Sequence, residues 1–287
     1  MVNPGSGSGE EARDLERTLT DRLTDVRAVE LSDPDLTAEV DRAVGEGRAV
    51  VAAGGDGTAN AVAQHVVGRG IMAVLPLGTL NHFGRDLGLR DIDHAIDVLK
   101  TGPVRRVDVG RVGDRFFLNN AGIGLYPEMV YRRDQAPDRT VKWLAAAGAS
   151  IRVMRDSAPV TGTIEADGDR RALLAWMVFV GNNRFGTTPG RIGQRDRLDE
   201  GVLDVGLFLA GPRGSRRSSV AWRVFRSRPW QTSRRVVRRT ARRVSVRLEG
   251  EPRQLSFDGE TSEPVRAMDA EIVPGELRVV VPPDDRG

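Results

Sequence analysis

Ala49-Val50-Val51-Ala52-Ala53 runs straight into Gly54-Gly55-Asp56-Gly57-Thr58, and the reading of these ten residues decides the fold. A short, unbroken apolar run ending in glycine is the pattern of a strand buried on both faces, as in a parallel sheet. The glycines let the chain turn sharply out of that strand, and Ala59 to Val67 reads as the helix that follows. Backbone N–H groups in such a turn, with the positive end of the helix, form a hollow suited to phosphate. Bare phosphate would repel Asp56, so the place for its carboxylate is on a magnesium ion or that ion's waters. The same pentapeptide also suits a plain strand-to-helix turn with an N-capping acid.

Outward from this stretch, the spacing predicts helices over Glu10–Val26 and Asp35–Gly45 and short strands over Val29–Ser32 and Ile71–Leu77. The last of these strands ends in Pro76-Leu77-Gly78-Thr79-Leu80-Asn81-His82-Phe83-Gly84-Arg85-Asp86-Leu87, with a helical start over Asn81–Leu87. In an open α/β sheet the carboxyl ends of successive strands converge on one crevice, which would bring this loop against the glycine turn. Thr79 and Asn81 can bond phosphate or ribose, and Arg85 can neutralise phosphate charge. The plain alternatives are helix caps at Thr79 or Asn81, an Arg85–Asp86 pair, and a packing role for His82 beside Phe83. No Gly-x-x-x-x-Gly-Lys-Ser/Thr is present, and no Gly-x-Gly-x-x-Gly follows a strand pattern, which argues against a Walker-type nucleotide site and a dinucleotide fingerprint.

Beyond Val107 the pattern changes to short strands: Val107–Val112, Phe116–Asn120, Val160–Ala166, Leu173–Val180, Leu203–Leu209, Val244–Leu248, Gln254–Phe257, Ala267–Ile272 and Leu277–Val281. A long helical stretch over Pro127–Arg155 interrupts them, and the arginine-rich stretch further on contains another. The fold class expected is an α/β N-terminal domain with a parallel sheet, residues 1–108, followed by a mostly antiparallel β-sandwich domain, residues 109–287.

The chain has 287 residues, no cysteine and a net charge of +3, which excludes disulfides, thiolate metal sites and cysteine catalysis and suits a reducing cytoplasm. No apolar run approaches the roughly 18 residues of a membrane span, and the opening residues lack the basic and apolar regions of a signal peptide. Residues 1–109 hold 12 basic and 18 acidic side chains against 31 and 22 in the rest. Twelve arginines and no acid lie between Arg213 and Arg243. Such a block marks either a solvated face or a contact with something anionic. Lys100 and Lys142 are the only lysines, so arginine is this chain's ordinary cation and the block is less distinctive than its count.

Asn3-Pro4 and the small residues after it, GGDGT at 54–58 with Asn60, and PLGTLNHFGRDLG at 76–88 together resemble the diacylglycerol kinase catalytic-domain family. Asn119–Gly124, Asp199–Asp204 and Asp258-Gly259-Glu260 extend the resemblance over nearly the whole chain. That family includes sphingosine and ceramide kinases and bacterial lipid kinases, and it shares its glycine turn with NAD kinases and phosphofructokinases. The resemblance implies two domains, ATP and Mg2+ as cofactors, and transfer of the γ-phosphate to a lipid hydroxyl. It further implies that Asn3, Ser32, Gly54, Gly55, Asp56, Gly57, Thr58, Ala59, Asn60 and Thr79 line the nucleotide, and that Asp56, with Asp108, serves the catalytic magnesium. Glu260, in the Asp258-Gly259-Glu260 turn, becomes the proton acceptor, and a second magnesium falls to Glu200 with the carbonyls of Arg197 and Val202. A carboxylate in that role orients a hydroxyl and takes its proton during transfer. Asp258-Gly259 alone is also a good hairpin turn.

Three departures from the family stand out: the chain starts almost at Asn3, His82 stands where some relatives have aspartate, and Glu200 replaces the commoner aspartate. Arg213–Arg243 interleaves its cations with Val220, Trp222, Val224, Phe225 and Trp230, a composition that suits an anionic membrane surface. A peripheral membrane kinase with no nucleic-acid partner is the expectation. An NAD kinase-like enzyme with a soluble acceptor, or an inactive relative that binds anionic membranes, are the alternatives.

Overall fold

The computed structural model describes residues 19, 21–23, 27, 29, 36–124, 158–186, 193–210 and 236–283. Two compact units emerge. The first takes Met1–Val109, Asp196–Gly201 and Val273–Gly287, and the second takes Gly110–Arg195 and Val202–Ile272.

In the first unit, β1 (Ala49–Gly54) and β2 (Ile71–Pro76) pair in parallel from Ala49↔Ile71 to Gly54↔Pro76. Four of the six β2 residues are buried, as the unbroken apolar run requires of a strand covered on both faces. Helix α1 (Leu36–Gly45) buries Leu36 and Val40, and α2 (Asp56–Val66) buries Ala59, Val62, Ala63 and Val66, the i, i+3, i+4, i+7 face of one stripe. The expected start of α2 at Ala59 is three residues late. Asp56, Gly57 and Thr58 already turn helically because Gly55, in extended geometry, sits at the cap. Two short helices follow: α3 (His82–Asp86), and α4 (Ile92–Thr101), for which Asp91 Oδ1 accepts the His94 N–H at 2.8 Å. The α4 pattern went unread in the sequence, although an N-capping Asp before Ile92, Ala95 and Ile96 is its signature.

In the second unit all strand pairs are antiparallel. β4 (Arg115–Phe117) pairs with the end of β3 (Val104–Val112), and β5 (Asn120–Gly124) lies between β7 (Asp169–Asn182) and β11 (Arg253–Phe257). β6 (Val160–Ala166) joins the first half of β7 to β10 (Arg243–Glu249). β8 (Leu203–Leu209) takes the second half of β7 and then β9 (Val236–Ala241). The register shift between Ala175 and Met177 lets β7 change neighbours, which is how a long strand turns a sandwich corner. β12 (Glu260–Val265) pairs with β11. The core between these strands centres on Phe117, Ile123, Val180, Leu203, Val246 and Phe257.

β13 runs unbroken from Ala267 to Val280, where two strands were expected. Pro274-Gly275 reads as a turn in sequence. In the structure Gly275 takes φ +65° inside the strand, its N–H donating to Asp108 Oδ1 at 2.9 Å and its carbonyl accepting from Arg106 at 3.0 Å. Its polar groups are therefore satisfied without a hairpin. β5, β9 and β12 are additional strands, and β7 is longer than the expected Leu173–Val180. The expected helix over Pro127–Arg155, residues 30–32 of the expected strand Val29–Ser32, nearly all of the helix over Glu10–Val26, and residues 211–235 of the arginine block lie outside the described residues. No helix among the described residues is long and apolar enough to cross a membrane.

Within the second unit, the Arg247 and Ser245 side chains donate to Asp269 at 2.8 and 2.6 Å and hold its carboxyl below the usual carboxylate value, outweighing the opposing effect of partial burial. A depressed folded-state pKa stabilises fully above the ordinary value of about 4 and is lost as pH falls through the folded value. Asp269→Asn should therefore be less stable than wild type in urea unfolding at pH 7, with the two curves converging as pH falls below the ordinary carboxylate range; a gap that persists at low pH would show that Asp269 acts by packing alone.

Candidate active site

The glycine turn and the Pro76–Leu87 loop meet in the first unit. Leu77 N–H donates to the Gly54 carbonyl at 3.0 Å, and Gly55 and Gly78 pass backbone to backbone. A Cβ on Gly78 would lie 2.6 Å from Gly55 Cα and 2.7 Å from Asn81 Oδ1, and a Cβ on Gly54 would lie 2.2 Å from Thr58 Oγ1. Glycine is required at both places for closeness of approach rather than for an unusual φ.

Asp56 ties the two turns together. Its Oδ2 accepts the N–H of His82 and its Oδ1 the N–H of Phe83, both at 3.0 Å, so the acid caps α3 rather than its own helix. Asn81, at φ +46°, shapes the loop: Oδ1 accepts the Gly78 N–H at 2.9 Å, and Nδ2 donates to the carbonyls of Gly78 at 2.6 Å and Pro76 at 3.2 Å. Thr58 and Asn60 are buried, Asn60 accepting from Gln64 at 2.9 Å, while Thr79 and Arg85 are exposed and Arg85 donates to His82 Nδ1 at 2.9 Å. Gly55 has no side chain with which to cap α2, so the first-turn N–H groups of that helix receive no acceptor from the cap residue.

Asp108, 2% exposed, is also committed to backbone: Oδ2 accepts the Gly201 N–H at 2.7 Å and Oδ1 the Gly275 N–H. Asp199 hydrogen-bonds the Arg197 guanidinium and raises its pKa, with weaker contributions from Glu200 and Asp108. No group of three His, Asp or Glu side chains suited to a metal ion exists among the described residues. Asn3 and Ser32 lie outside them.

In the second unit, Asp258 and Gly259 take φ +47° and +91° between the paired residues Phe257 and Glu260, a two-residue turn with both residues left-handed. The Asp258 carboxylate accepts three backbone N–H groups, from Leu118 at 2.7 Å and from Asn119 and Asn120 at 2.8 Å. Arg195, 4% exposed, grips the same segment, donating to the Leu118 carbonyl at 2.6 Å, Asn119 Oδ1 at 2.6 Å and the Asn182 carbonyl at 3.1 Å. Its guanidinium also lies 5.1 Å from the Phe185 ring centroid, and Phe185 is held in turn by Asp204 and Arg238. Asp258 thus positions the turn, and Glu260 is left exposed at its end. Arg195 and Asn182 were missed in the sequence, and Asp204 was read only as the end of the Asp199–Asp204 stretch. One arginine among so many carries no signal, but the Asn119-Asn120 pair that it grips did.

Four arginines of the block, 238, 239, 242 and 243, are among the described residues, and three of them pair with acids outside it: Arg238 with Asp204, Arg239 with Asp169 at 2.7 Å and Arg243 with Glu271 at 3.4 Å. For these the solvated or structural reading holds.

The diacylglycerol kinase catalytic domain matches residues 1–112, and the YegS C-terminal NAD kinase beta sandwich-like domain matches residues 128–281. A diacylglycerol kinase of Bacillus subtilis (strain 168) is 28% identical over 218 residues, 74% of this chain and 70% of that one. One from Staphylococcus aureus (strain JH9) is 32% identical over 179 residues, 61% of this chain and 55% of that one, so the chain spans about half the length of that relative. A crystal structure of a diacylglycerol kinase from Bacillus anthracis str. Sterne shares the fold with TM-score 0.69 at 20% identity, covering 98% of this chain and 95% of that one. The fold extends to an NAD kinase from Archaeoglobus fulgidus in complex with ATP, TM-score 0.56 at 12% identity, with 97% and 91% covered.

Gly78→Ala forces a contact with backbone that no rotamer relieves and should cost about 1–3 kcal/mol. Asp258→Ala removes the acceptor of three N–H groups and should cost about 2–4 kcal/mol. Urea unfolding checks both, and a loss under about 0.5 kcal/mol for either, the range of an ordinary surface substitution, would contradict the geometry given.

Proposed function

The chain belongs to the diacylglycerol kinase catalytic-domain family, with a YegS-type C-terminal β-sandwich domain, and from that premise we propose that it is a lipid kinase transferring the γ-phosphate of ATP to the hydroxyl of a lipid alcohol. The observation that carries this reading is the lock at Asp56, which holds the glycine turn and the Pro76–Leu87 loop in one fixed arrangement at the ends of adjacent parallel strands. Open α/β sheets bind their ligands at such strand ends. The ATP bound to the A. fulgidus NAD kinase of the same fold supports ATP as the phosphate donor.

In this reading Gly54 through Asn60 and Thr79, with Asn3 and Ser32, line the nucleotide, and first-turn N–H groups of α2 meet phosphate oxygens. Asn81 shapes the loop rather than touching ligand, since its side chain is engaged with Gly78 and Pro76. Arg85 supplies positive charge from the loop's exposed side.

A single carboxylate can serve magnesium, which keeps most of its waters and takes its remaining ligands from phosphate. Asp56 would hold that ion, which when bound neutralises charge on the transferring phosphoryl group. Asp108 acts instead through the segments it anchors at Gly201 and Gly275. The second ion that the resemblance assigns to Glu200 and the carbonyls of Arg197 and Val202 has no step depending on it.

Glu260 accepts the proton of the attacking hydroxyl, and Asp258 keeps Glu260 in place. The acceptor is a lipid, and the proposed membrane contact is the arginine-rich stretch up to residue 235.

Incubation with γ-labelled ATP, magnesium and short-chain diacylglycerol, other lipid alcohols or NAD tests the assignment. Label should appear in a lipid extract, and Glu260→Gln should lower that rate by about 10²–10⁴-fold. Label in NAD alone would overturn the lipid acceptor, and label in neither would overturn the kinase reading. Co-sedimentation with anionic vesicles should fall as salt rises; equal recovery on neutral vesicles would remove the arginine contact.

A further inference from the structure

Arg115 opens β4 opposite Val112, and its guanidinium carbon lies 4.9 Å from the ring centroid of Phe257. Phe257 is buried and pairs directly with Glu260, so its ring is a fixed platform beside the exposed acid. From that platform Arg115 Nη2 approaches Glu260 Oε2 to 3.6 Å. This is longer than a charge-assisted hydrogen bond, and the two side chains are 46% and 58% exposed, so the pair is loosely held and open to exchange.

The chemistry around Glu260, on the reading of the preceding section, changes the charge that Arg115 faces. When the acceptor O–H bond breaks, its proton goes to the Glu260 carboxylate and its electron pair forms the new O–P bond. The electron pair of the cleaved P–O bond departs with the nucleoside diphosphate. Glu260 becomes neutral at that moment. The oxygen that it deprotonated now carries a phosphomonoester dianion, necessarily within a few ångströms because the proton was transferred within hydrogen-bond reach. Negative charge beside Arg115 thus moves from the carboxylate to the new phosphate, and a guanidinium's fork of donors matches phosphate well.

We propose that Arg115 is a product-binding residue: it pairs with Glu260 before transfer and with the phosphate of the phosphorylated lipid after it. The inference rests on the reading of Glu260 as proton acceptor, but its test requires no turnover.

Calorimetric titration of the full chain with dioctanoyl phosphatidate and, separately, with dioctanoylglycerol compares wild type, Arg115→Met, Arg115→Lys and Glu260→Gln. Arg115→Met should weaken phosphatidate binding about tenfold while leaving dioctanoylglycerol unchanged, the scale of one lost charge-assisted contact. Arg115→Lys should fall between, keeping the charge without the fork. Glu260→Gln should bind phosphatidate at least as tightly as wild type, because the competing carboxylate is gone. Equal phosphatidate affinity in wild type and Arg115→Met, equal losses for both lipids, or no phosphatidate binding by wild type would each overturn the proposal. Undiminished turnover by Glu260→Gln would instead sink the proton-acceptor reading, and the binding comparison would still decide the role of Arg115.

Discussion

A carboxylate that accepts backbone N–H groups from a distant turn is the interaction on which the site depends. Asp56 leaves β1 at the glycine turn and reaches residues 82 and 83, joining two strand ends that would otherwise be independent loops. Loops without such ties carry a large conformational entropy, and ordering them on ligand binding would subtract from affinity. The Gly55–Gly78 approach makes the tie possible, since side chains there would hold the two turns apart. Preorganisation and ligand binding therefore draw on the same few residues, which is why the turn admits so little substitution.

The same device recurs where no chemistry is proposed. Asp167 and Gly168, at φ +49° and +84°, form a second left-handed turn, and the Asp167 carboxylate accepts the N–H groups of Arg242 and Arg243 as Asp258 accepts those of residues 118–120. Each turn is followed by an acid, Asp169 in one case and Glu260 in the other. What separates them is the company of that acid. Asp169 is bonded by Arg171 at 2.9 Å and Arg239 at 2.7 Å, and these bonds, Arg171's first, lower its pKa. Glu260 has Arg115 at 3.6 Å. The two motifs, alike in sequence, thus differ in how tightly their acids are engaged.

Much of the fold was legible because hydrophobic period and turn residues agree. The run Ala49–Ala53 and the segments Val160–Ala166 and Leu203–Leu209 are strands as expected. The failures share a cause, which is that a side chain from far along the chain supplied what local sequence lacked. Pro274-Gly275 reads as a turn until Asp108 and Arg106 take up its polar groups, and the capping of α3 by Asp56 is invisible until its bonds to residues 82 and 83 are known. Asn119–Gly124 was picked out as a motif, but the two groups that hold its start, Asp258 and Arg195, lie more than 70 positions away. Tertiary partners at that range leave no periodic trace.

Arginine shows how far composition can mislead. Arg238, Arg239 and Arg243 belong to the block that read as either a solvated face or an anionic contact, yet each meets an acid from another strand. Arg195, outside the block, is buried and makes three hydrogen bonds that join residues 118–119 to Asn182 at the end of β7, a task that needs a rigid planar fork rather than a point charge. Arg115, also outside it, stacks on an aromatic ring and leaves its donors to an exchangeable partner. The same residue type thus serves as strut, clamp and, in the role proposed for Arg115, ligand contact. Burial and partner distance separate the three uses, whereas a count of positive charge cannot, so the arginines that matter most to the proposed chemistry are those that the charge pattern passes over.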